Sequence, residues 1–184
     1  MMTKKPGRYF FAVMLGLLLN LPLSASLAAS QPLFSTFDNK PANIADYITG
    51  NKWLLVVIWA SDCSICNREA YTYVDFHFKH EDSDARVLGI SIDGQAKKEA
   101  AESFIKRHDI NFPNLIGEPD KIAGWFEKLT GQNWMGTPTF LLYSPDGKLR
   151  VQQIGTIPLA LVEKFIQRNS VQKASAVEEV NHGS

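Results

Sequence analysis

Cys63 and Cys66 are the only two cysteines in a chain of 184 residues. They stand in the run Trp59-Ala60-Ser61-Asp62-Cys63-Ser64-Ile65-Cys66, which closes the apolar stretch Leu54 to Trp59 and opens a helical pattern. A C-x-x-C at the seam between a buried strand and a helix puts the first sulfur among unpaired backbone N–H groups, at the positive end of the helix dipole. Both favour the thiolate, the nucleophile of thiol–disulfide exchange. A purely structural bridge is the ordinary reading of two cysteines in an exported chain. A bridge stabilises mainly by closing a long loop of the unfolded chain, however, and a C-x-x-C loop is too short to contribute much that way. Redox chemistry explains the spacing better.

The elements that position this pair read as α/β. Leu54-Leu55-Val56-Val57-Ile58-Trp59 has the length and continuity of a central strand covered on both faces. After Cys66 the period changes, and Tyr71, Val74 and Phe78 recur at helical spacing among Arg68, Glu69, Asp75 and Lys79. A second strand over Val87 to Asp93 precedes an amphipathic stretch from Ala96 to His108, with Ala100, Phe104 and Ile105 on one side. Strand, helix, strand, helix predicts a βαβ unit and a parallel sheet. Pro119 suits the first position of a further helix carrying Ile122, Trp125, Phe126 and Leu129, ended by Gly131. Thr139 to Tyr143 and Leu149 to Ile154 flank Ser144-Pro145-Asp146-Gly147 and predict a hairpin. A last helix runs from about Pro158 to Arg168, and residues 170–184 read as a disordered tail.

The N-terminus reads as a targeting segment. Lys4, Lys5 and Arg8 precede an apolar core from Tyr9 to Leu21, and Ser26-Leu27-Ala28 places small residues where a signal peptidase cuts. Residues 1–28 are therefore expected to be a secretory signal, cleaved after Ala28 or Ala29. The alternative is an uncleaved membrane anchor, against which stand the short apolar core and Pro22. The whole chain balances 19 basic against 19 acidic residues; cleavage removes three bases and no acid, leaving a net charge of −3. A mildly acidic domain has no electrostatic footprint for nucleic acid.

This order of elements, with C-x-x-C at the first strand–helix junction and Thr137-Pro138 just before the hairpin, resembles the thioredoxin fold over residues 32–169. More narrowly it resembles the TlpA/ResA-type (DsbE-like) periplasmic thioredoxins, relatives of the peroxiredoxins. The residues that carry this are the leader, Trp59-Ala60 before the cysteines, Val87 to Asp93, the extra helix between the βαβ and ββα halves, and Gly136-Thr137-Pro138-Thr139-Phe140 followed by Asp146-Gly147. The resemblance implies a central mixed sheet flanked by helices. It also implies an exported, periplasmic thiol-disulfide oxidoreductase without a cofactor, acting on protein thiols and disulfides. A membrane thiol-relay reductase of the DsbD type would keep it reduced. Pro138 is expected to be cis and to face the cysteines, with Thr137 offering backbone groups for strand addition by substrate. Trp134 and Met135 would line an apolar groove beside it.

The chain departs from the family pattern in three places. Asp62 stands where a large residue usually precedes the first cysteine, and a neighbouring carboxylate raises a thiol pKa. It either makes the couple more reducing or simply points to water and caps the helix. Val57 occupies the site of the buried acid of cytoplasmic thioredoxins. Glu69, three residues beyond Cys66, matches the acid that ResA-type proteins carry beside the active site, and the same position suits a solvated surface residue. The dipeptide Ser64-Ile65 matches no familiar reductase, oxidase or isomerase pair, so isomerase and oxidase chemistry stay open.

Two other functional classes draw on the same residues. Cys63-x2-Cys66 followed by His77-x2-His80 imitates a zinc set. One helix through these positions would hold Cys66 and His77 roughly 16 Å apart, so no metal site is expected. Peroxidatic chemistry needs Thr or Ser three residues before the cysteine, where this chain has Ala60. A non-catalytic peptide-binding module is the remaining alternative, disfavoured by two intact cysteines.

Overall fold

The computed structural model describes residues 32–182, with the backbone alone from residue 171. The signal segment 1–28 and its cleavage lie outside the described residues. Along the chain run β1 (Phe34–Thr36), β2 (Pro41–Ala42), β3 (Trp53–Trp59), α1 (Ser64–His80), β4 (Ala85–Ser91), α2 (Lys98–Arg107), β5 (Asn114–Ile116), α3 (Pro119–Thr130), β6 (Thr139–Tyr143), β7 (Leu149–Ile154) and α4 (Leu159–His182). The strands form one sheet in the order β2-β1-β5-β4-β3-β6-β7. β3 sits inside it, parallel to β4 and antiparallel to β6.

Both faces of β3 are covered, which is why its sequence is apolar without alternation. Leu54, Val56 and Ile58 pack with Leu88, Ile90, Leu141 and the Ile122 and Phe126 of α3. Leu55 and Val57 point the other way, to Tyr73 and Phe76 of α1 and Val162 and Ile166 of α4. Trp59, at the end of the strand, packs with Cys66, Ala70, Ala101 and Phe104, tying α1 to α2. Its ring stacks on Phe104 at 4.3 Å between centroids.

The helix α3 begins at Pro119 and ends on Gly131 at φ 70°, a left-handed turn that favours glycine. The hairpin strands fall where the sequence places them, and Gly147 N–H closes the turn on Ser144 O at 2.8 Å. The expected face of α1 is wrong by about one residue. Tyr71 and Phe78 are 72% and 73% exposed, Val74 is partly buried, and the buried residues are Cys66, Ala70, Tyr73, Phe76 and His77. The reason lies at the helix start: Cys66 must turn inward behind Cys63, and that fixes the rotation of every later turn. In α2 the expected Phe104 is buried and Ile105 packs beside it, with Ala101 rather than Ala100 completing the face. In α4, Val162 and Ile166 face the core, Leu161 is exposed, and the helical backbone continues past Ser170, where composition predicts a tail.

His77 shows how the sheet edge next to α1 is closed. β5 pairs with β4 only from Gly89 to Ser91, so the Val87 N–H on that side has no strand to meet. It donates instead to His77 Nδ1 at 3.1 Å. The other ring nitrogen, 3.0 Å from the Glu81 carboxylate, therefore carries the proton of a neutral imidazole. Burial holds the His77 pKa below its ordinary value, with Glu81 opposing and Arg86 adding to the depression. A group whose folded pKa is depressed binds more protons when unfolded, so its contribution is complete above about pH 6.5 and is lost as pH falls toward the folded value. Urea unfolding between pH 8 and pH 5 should show stability declining on the acid side, with a shallower decline in His77→Gln. An equally steep decline in that variant would place the acid sensitivity elsewhere.

Candidate active site

Cys63 is the N-cap of α1, with extended backbone at φ −74° and ψ 110°. Its Sγ accepts the Cys66 N–H at 3.0 Å, so an orphan donor of the first helical turn points at this sulfur. Cys63 and Cys66 are joined as a disulfide, their Cα atoms 5.2 Å apart. Cys63 is half-buried and reachable, whereas Cys66 is 0% exposed. The two sulfurs therefore differ in access: Cys63 is open to the surface, and Cys66 is enclosed behind it.

The loop before β6 lies against the same sulfur. Cys63 Sγ is 3.6 Å from the Thr137 carbonyl oxygen, and the Thr137–Pro138 peptide is cis. The loop is braced from within, as Trp134 Nε1–H donates to Thr139 Oγ1 at 3.1 Å and the Thr139 hydroxyl donates to Gly136 O at 2.5 Å. The Thr137 carbonyl thus meets Cys63, and Pro138 follows it across the cis bond. Trp134 is half-buried against the core cluster of α3, while Met135 beside it is 84% exposed.

Glu69 is half-buried on α1, close enough to Tyr73 for its charge to reinforce the upward shift that burial imposes on the phenol. The Tyr73 hydroxyl is buried without a hydrogen-bond partner among the described residues. Val57 is buried among apolar side chains, so β3 supplies no acid beneath the cysteines. The carboxylate of Asp62 pairs with Lys97 at 3.1 Å, and both side chains are largely exposed. An exposed pair of this kind is worth little, and it answers part of the charge that Asp62 brings next to Cys63.

Two residues that hold this loop are given no role by the sequence reading, although Asp93 ends the Val87 to Asp93 run. The Asn67 carboxamide donates to Ser61 O at 3.1 Å and Cys63 O at 2.9 Å. Its oxygen then accepts from Arg107 at 3.1 Å and from His108 Nε2 at 3.0 Å, which joins the active-site turn to the end of α2. Asp93, just past β4, accepts the Ser61 N–H at 3.0 Å and the Ser61 hydroxyl at 2.9 Å. The available signals were positional. Asn67 is one helical turn after Cys63, and Asp93 follows the strand parallel to β3, at the carboxyl end where α/β sites gather.

α1 is one helix from Ser64 to His80, so His77 and His80 sit along it away from the cysteines. His80 bonds Asp84 at 2.7 Å and Glu163 at 3.3 Å instead, joining α1 to α4. Among the described residues no group of three or more His, Cys, Asp and Glu side chains is arranged to hold a metal ion.

Comparison with known proteins agrees with this geometry. Residues 28–152 match the AhpC/TSA family. The thioredoxin domain of a thiol-disulfide oxidoreductase from Bacteroides vulgatus superposes with a TM-score of 0.59 at 20% identity, over 72% of this chain and 93% of that one. A secreted Mycobacterium tuberculosis disulfide oxidoreductase, homologous to Escherichia coli DsbE, gives 0.57 at 19% identity, over 75% and 96%. StoA from Bacillus subtilis gives 0.55 at 16% identity, over 72% and 92%. The fold is thioredoxin-like, with α2 and β5 extending the parallel side of the sheet by one strand before α3.

Proposed function

Because the chain belongs to the AhpC/TSA family, a thioredoxin-like group of redox enzymes, we propose that its Cys63–Cys66 couple exchanges disulfides with exported proteins in the reductive direction. The observation that carries this reading is the reachable Cys63 sulfur at the N-cap of α1, 3.6 Å from the Thr137 carbonyl, with Cys66 sealed behind it. The Cys63 thiolate attacks one sulfur of a substrate disulfide, forming a mixed disulfide and releasing the other substrate sulfur as a thiol. Cys66 then loses its proton and attacks the Cys63 sulfur, which frees the second substrate thiol. Two electrons have passed to substrate, and the Cys63–Cys66 disulfide remains for a membrane thiol-relay reductase of the DsbD type to reduce. Extended substrate docks on the Thr137 backbone beside Pro138, with Met135 and the edge of Trp134 flanking it.

Export is supported by the leader pattern of residues 1–28. The reductive direction is supported by the resemblance to reducing periplasmic thioredoxins and by Asp62 beside the nucleophile. Peroxide reduction, the other chemistry of this family, is disfavoured by Ala60, which places a methyl where a peroxidatic site needs a hydroxyl. Mixing the reduced protein with a disulfide-bonded protein substrate tests the reading. Substrate thiols should appear as Cys63 and Cys66 become resistant to alkylation. Cysteines that alkylate equally before and after the mixture would leave a peptide-binding module.

Glu69 is the candidate acceptor of the Cys66 proton during resolution, a reading supported by its position three residues beyond Cys66 on α1 and by Val57, which leaves β3 without an acid. Replacing Glu69 with Gln should slow exchange several-fold near neutral pH and alter the pH–rate profile while leaving the unfolding midpoint in place. An unchanged profile would make Glu69 a surface residue.

A further inference from the structure

We propose that Asp93 is a positioning residue for the nucleophile, a buried anionic latch that fixes the turn carrying Cys63 and biases the couple toward the disulfide. The inference rests on the redox reading above and deepens it. Asp93 is 9% exposed and accepts three hydrogen bonds. Oδ2 takes the Ser61 N–H at 3.0 Å and the Ser91 hydroxyl at 2.7 Å, and Oδ1 takes the Ser61 hydroxyl at 2.9 Å. Its own N–H donates to Ser91 Oγ at 3.1 Å, closing the latch on the end of β4.

The geometry makes the latch specific to the C-x-x-C turn. Ser61 lies two residues before Cys63, and its peptide is gripped from both sides: Asp93 takes the N–H while Asn67 donates to the carbonyl. The Cys63 N–H completes the turn on Ala60 O at 3.2 Å. Holding the turn determines whether the Cys63 sulfur meets the Cys66 N–H and the Thr137 carbonyl together. The carboxylate also adds a negative charge on the strand side of the turn, where water does not screen it as it screens Asp62. The charged and titratable groups around the turn include Asp62 with its partner Lys97, Arg107 and His108 through Asn67, Glu69 on α1, Glu118 bonded to the Gln95 N–H, and Asp93 itself. Asp93 alone among these is buried, so water screens its charge least, and through Ser61 it is fixed to the turn that carries the Cys63 thiolate. A destabilised thiolate favours the oxidised couple, which makes the dithiol the better reductant.

Asp93→Asn separates charge from shape, because the amide can still accept the Ser61 N–H. In equilibrium with glutathione, the variant should shift about tenfold toward the dithiol, equivalent to ~30 mV. The pH–rate profile for Cys63 alkylation should move to lower pH. Ser61→Ala keeps the charge and loosens the turn; it should slow exchange several-fold without moving that profile, and Ser61→Thr should restore the rate. A wild-type equilibrium and profile in Asp93→Asn would overturn the assignment. Should that variant not fold, wild-type exchange in Ser61→Ala would overturn it equally. These outcomes are differences between variant and wild type, whereas failure of the reductive reading would show in the wild-type potential itself.

Discussion

Replacing Cys66 with alanine should convert the protein into a trap. Cys63 still attacks the substrate disulfide, but the sulfur that would release the product is gone, so mixed disulfides accumulate. Turnover should fall to the uncatalysed background in Cys66→Ala and in Cys63→Ala alike. Only Cys66→Ala should retain covalent partners that dithiothreitol releases. The asymmetry follows from burial: Cys63 is half-exposed at the helix start, and Cys66 is enclosed with Trp59, Ala70 and Phe104. Non-reducing electrophoresis of each variant after mixing with an oxidised protein substrate provides the check. Partners trapped through Cys66 in the Cys63→Ala variant would reverse the order of attack.

The largest effect on stability is expected at Gly89. A Cβ there would overlap the Asn114 carboxamide and come too close to the Trp59 indole nitrogen. Those two groups are bonded to each other, Trp59 Nε1–H donating to Asn114 Oδ1 at 3.0 Å, and Asn114 is pinned in turn by its bond to Phe112 O at 2.8 Å. Neither can withdraw without losing a half-buried hydrogen bond. Gly89→Ala should therefore cost roughly 3 kcal/mol, the upper part of the range for overpacked cores, plainly visible in a urea titration. Because Trp59 leads directly into the cysteine turn, exchange should slow in the same variant. Gly89→Ala with wild-type stability would mean that β5 yields more easily than its pairing with β4 implies.

Much of this architecture is legible in the residues because local and tertiary preferences agree. β3 is continuous apolar sequence and is buried on both faces; Pro119 and Gly131 bracket α3; the hairpin turn carries Pro and Gly where a type I turn takes them. Strands of two or three residues, such as β1, β2 and β5, are too short for any periodicity to register, so only pairing partners define them. The rotation of α1 is ambiguous in the sequence for a different reason. Its stripe through Tyr71, Val74 and Phe78 is as regular as the one actually buried, and the choice between them is made by Cys66.

At the site, the cysteines and Thr137-Pro138 declare themselves through spacing and order, whereas their supports do not. Asp93 and Asn67 matter because folding brings a strand end and a helix face to one turn, a juxtaposition no local pattern encodes. Lys97 reaches Asp62 across 35 positions of sequence in the same way.

The central claim, that this is a reducing dithiol couple, is tested most directly by the equilibrium potential of Cys63–Cys66 against a glutathione or thioredoxin couple. A value near or below about −270 mV, in thioredoxin's range, is the predicted result; a value near about −120 mV, that of a strong oxidant, would contradict it.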